Sequence, residues 1–254
     1  MGEHTNRTVI VTGAARGIGY AIAEAFVKNG DFVAIGDLNL ENAEKSAAVL
    51  GSQAKGYQVN VADEESVKGF IDQVVADRGT VHALVNNAGL QHIDKVEDFP
   101  TEKWNLLIGV MLTGPFLLTK HVVPLMKKQK YGRIINISSV HGKMASPFKS
   151  AYVSAKHGVV GLTRTIAIET ANEGITVNAI MPGAVKTELV MNQLAALAQE
   201  DGTSEDEALH KHLLNKQALK RFVEPSEIAA AAIYLASDGA ASVTGETLSV
   251  SGGM

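Results

Sequence analysis

One glycine-rich stretch, Gly13-Ala14-Ala15-Arg16-Gly17-Ile18-Gly19, constrains the fold of this chain more than any other feature. The apolar run Val9-Ile10-Val11-Thr12 precedes it and reads as a buried strand. A helical pattern runs on from Tyr20 to Asn29, with Gly30 as its stop. Between strand and helix, glycines let the backbone approach a pyrophosphate, and the helix N-terminus offers free N–H groups at its positive dipole end. The spacing is Gly-x-x-x-Gly-x-Gly rather than Gly-x-Gly-x-x-Gly. A tight turn with close helix–strand packing fits either spacing; the flanking pattern favours dinucleotide binding.

The same alternation recurs along the chain. Phe32 to Ile35 reads as a second strand ending in Gly36-Asp37. A carboxylate about 20 positions beyond the glycine loop stands where a ribose 2′-hydroxyl would be bound. Asp37 would repel a 2′-phosphate, which favours NAD; Arg16 is the contrary hint, and a loop or cap carboxylate is the plainer reading. Lys55–Val61, Ala83–Val85, the IINIS run from Ile134, Ile175–Ile180 and Glu246–Val250 read as further strands, with helical segments between them. Strands alternating with helices imply parallel βαβ units, so the expected fold is a doubly wound α/β Rossmann-type sheet of about seven strands with helices on both faces. Ligands bind at the carboxyl ends of such strands, where Gly13, Asp37, Asn86 and Ser139 all fall. A long helix, Thr101–Lys128, is expected to bend at Gly114-Pro115 or Pro124. No second domain, repeat or low-complexity segment is visible. Residues 1–254 read as one catalytic domain, with a polar helical insertion around 188–221 as a substrate lid or a solvated helical pair.

The chemistry is concentrated in Ser139 to Lys156. Tyr152 and Lys156, one helical turn apart, share a face. A nearby ammonium favours the phenolate, so Lys156 is expected to lower the Tyr152 pKa and fit it for acid/base work. Ser139 supplies a hydroxyl for the same oxygen. Alone, Tyr-x-x-x-Lys is most often a surface pair. Net charge is -4, with no basic footprint for nucleic acid. Cys is absent, which removes disulfides and thiolate chemistry; no metal site is expected, since His210 and His212 face different ways on a helix. No apolar run is expected to span a bilayer, and the first residues lack a secretory pattern, which together suggest a cytoplasmic protein.

Taken jointly, TGAARGIG at 12–19, NNAG at 86–89, Ser139, YVSAK at 152–156 and PGAVKT at 182–187 resemble the short-chain dehydrogenase/reductase family across essentially the whole chain. The resemblance implies hydride transfer with a nicotinamide cofactor, usually in a homotetramer. Tyr152 would be the acid/base. Lys156 would tune it and hold the nicotinamide ribose, while Ser139 orients the substrate oxygen. Cofactor contacts would come from Gly13, Arg16, Gly17, Ile18, Gly19, Asp37, Asn60, Val61, Asn87, Ala88, Gly89, Tyr152, Lys156, Pro182, Gly183, Val185 and Thr187. Within the family, GLQHIDKVEDFPTEKW, SVHGKMASPFKSAYVSAKHGVVG and NQLAALAQEDG are similar to D-3-hydroxybutyrate dehydrogenases. There Gln91, His141, Lys149 and Gln193 match residues that hold the substrate carboxylate. The implied activity is NAD-dependent oxidation of D-3-hydroxybutyrate to acetoacetate. Alternatives are a related oxidoreductase for a sugar acid, polyol or 3-oxoacyl substrate, or a nucleotide-binding protein with weak catalysis. Two departures stand out. Met111 replaces the family's relay Asn, and Ala184 and Met254 occupy places where the subgroup often has Trp.

Overall fold

The structure, a computed structural model, describes residues 6–254, apart from the side chains of residues 189, 193, 196 and 200. Strand β1 (Thr8–Thr12) leads through the glycine loop into α1 (Gly17–Lys28), followed by β2 (Phe32–Asp37), α2 (Leu40–Leu50), β3 (Ala54–Gln58), α3 (Glu64–Arg78) and β4 (Ala83–Asn86). Helices α4 (Thr101–Ile108) and α5 (Gly114–Gln129) come next, joined end to end, then β5 (Gly132–Ile137), α6 (Ser150–Thr170) and β6 (Ile175–Pro182). The helical excursion is α7 (Glu188–Asp201) and α8 (Glu205–Ala208), after which α9 (Pro225–Leu235) leads to β7 (Thr247–Val250). The strands form one parallel sheet of order β3-β2-β1-β4-β5-β6-β7. Chain direction across the sheet reverses between β1 and β4, which opens the crevice where such sheets bind ligands.

Alternate side chains of a strand face opposite sides, and both sides here are apolar. Val9, Val11, Val33 and Ile35 pack with Ile22, Phe26, Ile228 and Leu235 of α1 and α9. Ile10, Ala34, Leu84 and Ile134 pack on the other side with Val67, Phe70, Leu118, Val122 and Met126 of α3 and α5. This burial on both faces explains why the strands read as continuous Val/Ile/Leu runs.

Three expectations need correcting. The third strand stops at Gln58, because Asn60 and Asp63 turn the chain into α3; the Asp63 side chain caps that helix by accepting from Ser66 N–H. The long helix is interrupted earlier than Gly114, by a wide π turn over Gly109–Thr113. Pro115 sits in the first turn of α5, where a missing N–H is tolerated, and α5 runs on through Pro124. Lastly, Thr101–Gln129 is long and apolar enough to cross a membrane, with a mean hydropathy of 1.7 over its best window. Its apolar character has another cause: Leu107, Met111, Leu118, Val122 and Met126 are each at most 1% exposed inside the fold.

Candidate active site

The carboxyl ends of β1, β2, β4, β5 and β6 converge on one crevice. Gly13 and Gly17 both adopt φ +60°, a left-handed conformation that side chains resist. A Cβ on Gly13 would lie 2.8 Å from the Ala88 backbone, and one on Gly19 would lie 2.5 Å from both Asn87 Nδ2 and the Gly13 carbonyl. The Asn87 amide donates to the Thr12 and Gly13 carbonyls at 2.9 and 3.1 Å, while Thr12 Oγ1 accepts from the N–H groups of Asn87 and Ala88. Asn87 therefore braces the loop. Asp37 accepts from Ala15 N–H at 3.4 Å and Asn39 N–H at 3.2 Å, which brings the end of β2 against the loop. This bare, braced cradle fits a dinucleotide: backbone N–H groups face a helix start, and only hydrogen could stand where Gly13 and Gly19 leave room.

Other expected contacts lie around the same crevice. Val61 is buried under Gly114, where an added Cβ would be 3.0 Å from the Val61 carbonyl, whereas Asn60 is exposed. Pro182 ends β6, Gly183 packs on the Ser251 backbone, and Val185 is buried. Thr187 caps α7, accepting from Val190 N–H, and its methyl lies 3.7 Å from where a Gly17 Cβ would be. Arg16, the hint of 2′-phosphate binding, pairs instead with Glu188 at 2.9 Å.

The acid/base group is built where β5 meets α6. Ser138 Oγ donates to the Lys156 carbonyl, and the Lys156 ammonium donates to the Ile137 carbonyl at 2.7 Å, so α6 is pinned to the strand end through both the backbone and the side chain of Lys156. Ala151, Ala155, Val159, Ile166 and Ala167 form the buried stripe of α6 and leave Tyr152 facing the crevice. Lys156 Nζ lies 5.6 Å from the Tyr152 ring centre. The expected electrostatics are reversed here. Burial raises the Tyr152 pKa, a hydrogen bond with Ser139 only partly opposes this, and burial pushes the Lys156 ammonium down to about 8. Desolvation of the charged forms outweighs the attraction between them.

Ser139 Oγ accepts from His141 N–H at 3.2 Å and lies 3.3 Å from His141 Nδ1, while the His141 ring stands edge-on to Tyr152 at 5.9 Å. Burial, then the charges of Lys149, Lys216 and His157, lower the His141 pKa to about 4. Burial also lowers the Lys149 pKa. Among the described residues, no carboxylate offsets this group. Gln91 turns its Oε1 back to accept from His92 N–H at 3.1 Å. Gln193 falls on α7, but its side chain lies outside the described residues. Met111 is 1% exposed and packs with Leu107, Ala151, Ala155 and the partly buried Tyr152, so its side chain is part of the wall. Lys216 was missed by sequence reasoning; it is distant in sequence from the Ser139–Lys156 segment, and no local pattern marks it.

A family model described as enoyl-(acyl carrier protein) reductase matches residues 13–254. D-beta-hydroxybutyrate dehydrogenase of Rhizobium meliloti is 41% identical over 252 residues, covering 97% of this chain and 98% of that one. The chain belongs to the short-chain dehydrogenase/reductase family. Members of that family use NAD or NADP, so the cradle matches the family's cofactor class. Uncharacterized oxidoreductase YxjF of Bacillus subtilis is 45% identical over 250 residues, covering 97% of each chain. A 3-oxoacyl-[acyl-carrier-protein] reductase of Haemophilus influenzae is 38% identical over 248 residues, covering 98% of each chain. Levodione reductase, a solved structure, matches with a TM-score of 0.92 at 31% identity, covering 99% of this chain and 98% of the other. As a short-chain dehydrogenase/reductase the protein is an oxidoreductase acting on a small molecule.

Proposed function

We propose that this oxidoreductase interconverts D-3-hydroxybutyrate and acetoacetate with NAD. The observation that carries the reading is the uncompensated polar set of His141 and Lys149 beside Tyr152 and Ser139. A half-buried cation lacking a counter-ion, as Lys149 is, favours an anionic ligand, and a short 3-hydroxy acid places its carboxylate a few ångströms from its carbinol. The likeness to D-beta-hydroxybutyrate dehydrogenases supports the same substrate.

In this reading Lys149, His141, Gln91 and Gln193 hold the carboxylate. Ser139 donates to the alcohol oxygen and Tyr152 removes its proton, while Lys156 positions the nicotinamide ribose. When bound, the nicotinamide supplies the hydride acceptor for C3. Asp37 selects NAD, and the Arg16–Glu188 pair supports that selection by occupying the cation of the glycine loop that would otherwise be available to a 2′-phosphate. Residues 188–221 serve as the substrate lid of one catalytic domain. Leu194, Ala198 and Ala208 form a small core with Met191, Leu209, Leu213 and Phe222, which suits movement as a body. Exposed apolar side chains such as Trp104, Phe116, Tyr234 and Leu248 support assembly as a homotetramer. The setting is cytoplasmic.

The test is NADH formation with D-3-hydroxybutyrate, its L isomer and gluconate, alongside acetoacetate and a 3-oxoacyl thioester in the reverse direction. Turnover of the D isomer and acetoacetate at millimolar concentration is the expected result. Preference for gluconate or the thioester would replace the substrate, and NAD binding without turnover of any of them would remove the reading.

A further inference from the structure

Phe148 adopts φ +64° and is 53% exposed. A bulky aromatic residue in the left-handed region is an outlier, with its Cβ crowding the backbone. Neither local propensity nor burial of the ring explains the conformation. A tertiary contact holds it: the Phe148 carbonyl accepts from Asp94 N–H at 2.9 Å. That bond joins the loop bearing Gln91 to the loop bearing Lys149. Immediately after the kink, Lys149 has φ −119° and ψ 37°, and its carbonyl takes the first helical hydrogen bond of α6, from Val153 N–H at 2.8 Å. The turn therefore sets the direction of the Lys149 side chain against the helix that carries Tyr152.

We propose that Phe148, through its backbone and not its ring, is the positioning residue that aims Lys149 at the substrate carboxylate. This inference rests on the carboxylate-holding role given to Lys149 in the proposed function. Strained backbone persists where the surrounding structure over-determines it, and such sites gather at ligand clamps. Here the constraint is the pairing with Asp94, which ties the loop that carries Gln91 to the loop that carries Lys149. Relaxing the kink would break that pairing and turn the ammonium away, without moving Ser139, Tyr152 or the glycine loop.

Substitutions that all delete the ring but differ in tolerance of positive φ separate backbone from side chain. Glycine is at ease there, asparagine is tolerated, alanine is disfavoured and a β-branched residue is worst. The expected order of KM for D-3-hydroxybutyrate is Phe148→Gly and Phe148→Asn lowest, Phe148→Ala higher and Phe148→Val highest, with about a tenfold span. Over that series kcat should change much less than KM, and the dissociation constant for NADH should stay constant. Should Phe148→Val fail to fold, the comparison of Phe148→Asn with Phe148→Ala decides by itself. Equal KM values across the series, or a glycine variant as impaired as valine, would overturn the inference while leaving the proposed function standing. A parent enzyme inert toward D-3-hydroxybutyrate would remove both.

Discussion

The electrostatics of Lys156 give the sharpest physical test. Its side chain is 5% exposed, and burial moves the ammonium from an ordinary value near 10.5 to about 8. Below pH 8 the folded and unfolded chains both hold this proton, and the folded state carries the full cost of burying it. Between about pH 8 and 10.5 the unfolded chain binds more protons, so stability of the cofactor-free protein must rise with pH. The whole displacement corresponds to about 3 kcal/mol. Lys156→Met removes the titration and, at every pH, the hydrogen bond to the Ile137 carbonyl. The stability of the parent minus that of the variant should therefore climb by about 1.5 kcal/mol from pH 8 to pH 9.5. Urea unfolding at constant ionic strength, followed by far-UV circular dichroism, measures that difference. A flat or falling difference would refute the argument, because the ammonium would then be no harder to bury than to leave in water.

Other consequences are simpler to read. Tyr152→Phe should lower kcat by about 10³-fold, within the usual range for loss of an acid/base group, and leave the NADH dissociation constant within about twofold by fluorescence titration. Asp37→Ala should raise kcat/KM for NADP relative to NAD. Adding Glu188→Gln should raise that ratio further, up to about fivefold, since an exposed ion pair is worth at most ~1 kcal/mol; no further gain would mean that Arg16 does not reach the 2′-phosphate. KM for the hydroxy acid should increase as pH rises through the lowered Lys149 value, and show no inflection near ~6.5, where an ordinary histidine titrates, because His141 is already neutral there.

How much of this was legible in the sequence depended on how local each cause was. Val9–Thr12 and Ala83–Val85 read as strands because a parallel strand covered on both faces must be apolar at every position. Tyr152 and Lys156 could be paired because four residues of helix fix their relation. The glycines at 13, 17 and 19 were readable because the chain needs them for reasons confined to one loop and its neighbours. Partners set by tertiary contact were not readable: Glu188 for Arg16, the Ile137 carbonyl for Lys156, and Lys216 near His141. Phe148 was hidden more deeply, since its local preference opposes the conformation it adopts. The apolar length of Thr101–Gln129 was missed in the other direction: no run was expected to reach the span of a bilayer, yet this one does so in length and composition, with several of its apolar side chains buried in the fold.

The reversed pKa directions at Tyr152 and Lys156 come from the same distinction. Sequence spacing places a cation near a phenol and leaves out the dielectric in which both sit. Burial raises a phenol and lowers an ammonium, since each shift favours the neutral form. Coulomb attraction could reverse this only at close range, yet Lys156 Nζ stands 5.6 Å from the ring centre and commits one of its three N–H groups to the Ile137 carbonyl. Tyr152 thus keeps its proton at neutral pH, and Ser139 is the group that partly opposes that tendency. A protonated phenol is the state needed to donate to a carbonyl oxygen, whereas oxidation of an alcohol needs the phenolate. The protein's own residues therefore set the site as an acid, and its use as a base requires either higher pH or the added charge of bound ligands.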